Sequence, residues 1–191
     1  MATKEDIITL PHKDLRVPSK RVGLITDDIK QIIADMKVAT LDWEASRSHE
    51  VSVALAAVQI DVLLRIVILR ENFNDKDNHN FHVFINPEIV KYEGELEEDF
   101  EGCLSIKDIY GRVPRYNKVR VKAINLAGKE FRISLEGFVA RIMQHEIDHT
   151  KGIVFVDHIK DDPDAFFHLE DDGKLKELDY DKDIKNSRIL W

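Results

Sequence analysis

After Thr26, the apolar residues Ile29, Ile32, Ile33, Met36 and Ala39 recur at helical spacing, on one stripe of a 3.6-residue period. Thr26 is a capping residue type, and Asp27 and Asp28 suit the positive end of a helix dipole, so the pattern predicts an amphipathic helix over residues 27–44. Residues 46–50 are polar and predict a loop. Residues 51–59 are small and apolar and predict a strand passing a cleft, or an ordinary buried strand. Short runs at 63–69, 81–85, 89–92 and 119–126 are rich in branched and aromatic residues and bounded by turn signals, which predicts antiparallel strands. Asn86-Pro87 predicts a bend, and Asn125-Leu126-Ala127-Gly128 before Lys129–Ile133 predicts a hairpin. From Leu135 the period is helical again: Phe138, Ile142, His145 and His149 share one stripe, and Gly152 is placed to end the helix. Ile153–Val156 predicts a further strand.

His145 and His149 lie one helical turn apart, with Cβ atoms about 6 Å from each other, and can share one ion. The only cysteine, Cys103, sits about 40 residues earlier and offers a thiolate as third ligand, leaving a fourth position for water. Glu146, beside the first histidine, is then the natural general base. Gly102 permits close backbone approach, and Leu104 supplies an amide next to the sulfur, where negative charge develops. Taken singly, a lone cysteine is also an ordinary small buried residue, and two histidines on a helix are also ordinary core or surface residues. The expected fold class is α+β, with antiparallel sheets around a central metal-bearing helix.

The chain has 191 residues, 43% of them hydrophobic, and a net charge of −8. This predicts one globular body: a catalytic domain over residues 1–160 and an acidic C-terminal appendage, 161–191, packed on or extending from it, with Phe166, Phe167 and Leu169 as anchors. The acidic balance argues against direct nucleic-acid binding. A single cysteine forms no internal disulfide, and the acidic amino terminus, Met1 to Asp6, lacks a signal-like apolar core. No run approaches the roughly 18 apolar residues of a membrane span. A cytoplasmic location without membrane attachment is the expectation.

The two segments Glu101-Gly102-Cys103-Leu104-Ser105 and Gln144-His145-Glu146-Ile147-Asp148-His149 resemble the second and third signature motifs of the peptide deformylases. Leu135–Met143 is similar to the lead-in of the family's metal-binding helix, and Arg112-Val113-Pro114-Arg115 to the run that follows its cysteine. The resemblance covers roughly residues 8–160. The first motif departs from the family's Gly-x-Gly-x-Ala-Ala-x-Gln: Ser52 and Ala54 replace both glycines, Gln59 is kept, and Asp61 stands where a further glycine is common.

The resemblance implies hydrolysis of the formyl group from N-formylmethionyl nascent peptides, near the ribosome. It implies one divalent ion, Fe(II), with Zn(II), Ni(II) or Co(II) as substitutes, held by Cys103, His145 and His149. Glu146 takes and returns the proton, and the Gln59 carboxamide and Leu104 amide face the oxyanion. The peptide lies as an added strand against Val53, Ala54 and Leu55 beside Gly102. Its methionine enters an apolar pocket with Phe138 and Ile142, residues that equally suit simple packing. Asp148 faces away from the ligands and pairs with an arginine. Two other readings compete. A zinc peptidase uses the same helix, but its third histidine is replaced by Phe155, leaving Glu170 as a downstream ligand. A catalytically weak relative holds metal or peptide only, although it needs neither Glu146 nor Gln59.

Overall fold

The Thr26 side chain accepts the Ile29 amide and opens helix α1, Asp27–Ala45, with Asp27 and Asp28 in its first turn. The computed structural model describes residues 2–47 and 49–191; of the polar loop expected at 46–50, Ser48 lies outside the described residues. The remaining elements are strands β1 (Ala54–Ala56), β2 (Ile66–Arg70), β3 (Phe81–Cys103), β4 (Ile106–Ile124) and β5 (Glu130–Glu136), helix α2 (Gly137–His149), and strands β6 (Phe166–Leu169) and β7 (Leu175–Glu177). All strand pairs are antiparallel, in the order β1-β2-β3-β4-β6-β7, and β5 pairs with β4 beside β6.

Strand β2 is buried along its whole length because a helix covers each face. Its side chains alternate: Val67 and Leu69 pack with Met143 and Ile147 of α2, whereas Ile66 and Ile68 pack with Ile29, Ile33 and Met36 of α1. A third cluster joins Leu10 and Leu15 to Val113, Phe155, Phe166, Ile184 and Leu190. Within it Arg16 pairs with Asp157 and donates to the Leu190 carbonyl. The Ile8 and Leu10 amides donate to the carbonyls of Gln59 and Ser105, so the amino-terminal segment buttresses two site residues.

Several boundaries differ from the sequence expectation. The separate strands expected at 81–85 and 89–92 belong to one strand of 23 residues. Asn86, at φ 52, makes a register shift there instead of a break, because its carboxamide bonds the Val22 amide and carbonyl and replaces lost ladder partners. The stretch 51–59 is strand only at Ala54–Ala56 and then turns into a 3-10 segment, Ala57–Ile60. Ile153–Val156 is not a strand: Phe155–His158 is a 3-10 turn, bent by the Asp157 carboxylate accepting the Val154 amide. Leu135 belongs to β5, which runs to Glu136, and α2 begins at Gly137.

Residues 166–169 extend the sheet by pairing with residues 109–111 of β4. On the same stretch of β4, Gly111 lets Phe155 and Ile159 approach closely, since a Cβ there would meet Ile159 at 2.4 Å and Phe155 at 2.7 Å. Among the described residues, no helix is long and apolar enough to cross a membrane.

Candidate active site

Cys103 ends β3, and Leu104 and Ser105 form the two-residue turn into β4. The turn holds the sulfur against α2, whose His145 and His149 lie on the face toward it. Cys103 Sγ is 3.2 Å from His149 Nε2, and one ligand atom from each of Cys103, His145 and His149 lies within 4.8 Å of the others. Both histidines are buried. His145 Nδ1 is bonded to Glu101 Oε2 at 2.9 Å, which leaves Nε2 for the site. The His149 Nδ1 and Glu146 Oε2 atoms are buried without a partner. A sulfur and two imidazoles converging at this spacing fit a divalent ion of the zinc or iron kind. The other such grouping among the described residues, His12, Asp14 and Asp61, has an exposed member and no buried orphan atom.

Adjacent imidazoles cannot both carry charge cheaply. Burial opposes protonation of His145, but hydrogen bonds to Cys103 and Glu101 overcome it and hold its pKa well above the ordinary value. Burial, then the neighbouring His145, pushes His149 well below. Glu146 is raised to about 7, chiefly by burial and further by Glu101, which places a proton acceptor near neutral pH. Burial also works against ionisation of Glu101, yet His145 and Arg115 bring it down to about 2.

Gln59 is 1% exposed. Its Oε1 accepts the Ala56 amide at 2.9 Å, which turns Nε2 toward Cys103 Sγ at 3.5 Å and Ser105 Oγ at 3.3 Å. The cleft above has a volume of about 230 Å³ and is lined by Val53, Ala54, Gln59, Gly102, Cys103, Leu104, Phe138, Ile142, His145 and Glu146, among others. Leu55 does not line it: its side chain is fully buried against α1. Phe138 is 47% exposed at the rim. Phe155 stacks on the His145 ring, 6.1 Å between centroids, and Glu170 is exposed beside His168 and Lys176.

The arginine expected to pair with Asp148 is Arg115, and it belongs to a buried network, otherwise given no role by the motif reading, that holds the site together. Glu101 receives two bonds from Arg115 and one from Arg141 besides its contact with His145. Arg115 reaches on to Asp148, which also meets His158. Arg141 is buried and donates to the carbonyls of Glu97, Asp99 and Val113, clamping β3 and β4. Glu101 and Arg115 lie on facing strands of one hairpin and Arg141 lies on α2, placements that carry no local sequence signal for such pairing.

The chain matches the polypeptide deformylase family over residues 4–164. It is 39% identical over 158 residues to a peptide deformylase of Thermomicrobium roseum, covering 81% of this chain and 85% of that protein. It resembles the solved structure of a peptide deformylase from Synechococcus elongatus in complex with actinonin, with a TM-score of 0.74, 32% identity, and coverage of 82% of this chain and 80% of that one. It also resembles the Met-Ala-Ser bound class I type b peptide deformylase from Acinetobacter baumannii, with a TM-score of 0.69, 32% identity, and coverage of 80% and 96%. Likeness in sequence and likeness in fold extend over most of the molecule, and the chain belongs to the peptide deformylase family.

Proposed function

We propose that Cys103, His145 and His149 hold the metal ion of a deformylase, and that Glu146, Gln59 and the Leu104 amide carry out the hydrolysis around it. The chain is a metal-dependent hydrolase that removes the formyl group from the amino-terminal formylmethionine of nascent peptides. The observation that carries the residue assignment is a three-donor cluster, a buried carboxyl and a carboxamide turned toward the sulfur, brought from three elements to one cleft.

An ion bound there supplies Lewis acidity, which lowers the pKa of water and polarises a carbonyl oxygen. Glu146 accepts the proton of the attacking water. The carbonyl carbon becomes tetrahedral, and the Gln59 Nε2 and Leu104 N–H groups donate to the developing oxyanion. The formamide C–N bond then breaks. Glu146 returns the proton to the leaving nitrogen, giving formate and a free amino terminus. A carboxyl with a pKa near 7 serves both transfers.

The peptide runs as a strand beside Val53, Ala54 and the Leu55 backbone and passes Gly102, with the methionine side chain toward Ile142 and Phe138. Helix α2 is thus the metal-bearing helix at the centre of the fold, and α1 is an amphipathic support behind β1. The ion is Fe(II), with Zn(II), Ni(II) or Co(II) able to replace it at the same sulfur and nitrogen donors. The enzyme works in the cytoplasm, close to the ribosome, without binding nucleic acid.

The test is formate release from formyl-Met-Ala-Ser by anaerobically prepared protein loaded with Fe(II) or Ni(II), alongside metal-stripped protein and Glu146→Gln. Metal-dependent release lost in Glu146→Gln is expected. Cleavage of an internal peptide bond would point to a peptidase, and peptide binding with no formate would point to a binding protein.

A further inference from the structure

The two walls of the cleft are tied together by side chains that the hydrolysis leaves unused. One wall is the segment from α1 into β1, and the other is the β3–β4 hairpin. Tyr110 Oη donates to Glu50 Oε1 at 2.8 Å. Arg47 Nη1 lies 2.7 Å from Asp108 Oδ1 and 3.6 Å from Glu50 Oε2, and its guanidinium sits 5.3 Å over the Trp43 ring. These links are shielded: the Arg47, Glu50 and Asp108 side chains are 25%, 14% and 26% exposed. The Tyr110 ring in turn lies on Gly102, where an added Cβ would come within 2.6 Å of it. Trp43, Glu50, Gly102 and Tyr110 all line the cleft that holds Cys103 and Glu146.

Both walls present strand edges. Strand β1 pairs only with β2, and β3 beyond Ile85 pairs only with β4 among the described residues. A peptide strand inserted between two such edges needs them about 9.5 Å apart, twice the spacing of neighbouring strands.

We propose that the Tyr110–Glu50 hydrogen bond, backed by the Arg47–Asp108 ion pair, is a brace that sets this separation and so positions the part of the peptide that follows formylmethionine. Tyr110 and Glu50 are positioning residues. The inference rests on the deformylase reading and on the peptide lying along Val53 and Ala54. A substrate with nothing beyond the methionine does not depend on the brace; a longer one does.

The test is steady-state kinetics of the Ni(II)-loaded protein on formyl-Met-Ala-Ser and on formylmethioninamide, with Tyr110→Phe, Glu50→Ala and Glu50→Gln. Tyr110→Phe and Glu50→Ala are expected to raise KM for the tripeptide about five- to tenfold, the equivalent of one lost hydrogen bond, with kcat nearly unchanged and a smaller effect on the amide. Glu50→Gln keeps an acceptor oxygen for Tyr110 and restores KM. Equal effects on both substrates, an unchanged KM, or Glu50→Gln behaving as Glu50→Ala would overturn the brace. Calorimetric titration with Met-Ala-Ser reads the same interaction without turnover. If the wild type releases no formate yet binds Met-Ala-Ser, and the variants weaken that binding, the deformylase reading fails and the brace stands.

Discussion

Glu101 Oε2 lies 2.9 Å from His145 Nδ1, and the same carboxylate is gripped by Arg115 and Arg141. One buried anion therefore fixes the tautomer and ring orientation of one proposed ligand and anchors the hairpin that carries another, Cys103. Removing such a partner typically weakens metal binding about 10- to 100-fold. Glu101→Gln is expected to show that loss in a competition titration against a chelator. Unaltered metal affinity would mean that Glu101 is only a structural hub.

Glu146→Gln keeps the shape of the side chain and removes the proton acceptor. Formate release should fall by about 10² to 10⁴ while the metal content, measured by elemental analysis, stays at the wild-type value. Loss of metal along with activity would transfer Glu146 from proton carrier to ligand.

For Gln59→Ala, a fall of about 10² to 10³ in kcat is expected, the usual cost of one oxyanion donor. Because the Gln59 carboxamide also accepts the Ala56 amide, Gln59→Glu makes a useful companion. It keeps that acceptor and removes the donor, so it should be equally slow. Full turnover in either variant would remove Gln59 from the reaction.

Asp148 links stability to acid. Burial works against its ionisation, but His158 and Arg115 overcome that and hold its carboxyl well below the usual carboxylate range. The folded pKa lies below the unfolded value of 3.8, so the stabilisation is present above about pH 4 and is lost as pH falls through the folded pKa. Asp148→Asn should cost about 3–5 kcal/mol near neutral pH by leaving Arg115 partly unpaired in the interior. Its stability, followed by denaturant titration, should fall less steeply than that of the wild type below pH 4. Parallel acid profiles would assign the acid loss to other carboxylates.

Helix α2 was legible because its apolar stripe and Gly152 stop are local signals, and the hairpin at Asn125–Gly128 because its turn chemistry is local too. The long strands were not. Residues 93–101 are dominated by acidic side chains and show no apolar alternation; they are strand because β4 pairs with them, a partner chosen by the fold. The same distinction holds within the cleft. Cys103, His145, Glu146 and Gln59 stand out by residue type and spacing, and the structure brings all four to one place. The role of Glu101 depends on arginines 14 and 40 positions away, and the Tyr110–Glu50 contact spans 60, distances over which a sequence pattern carries no pairing information.

The Arg16 contact with the Leu190 carbonyl spans 174 positions, and Arg16 also grips Asp157. The segment that buttresses Gln59 and Ser105 is thus locked by residues translated after Cys103, His145 and His149. A nascent copy that already contains all three donors still lacks Ile184 and Leu190 as cover over Leu10 and Leu15. In the order of synthesis, the donors of the site come before the packing that secures it.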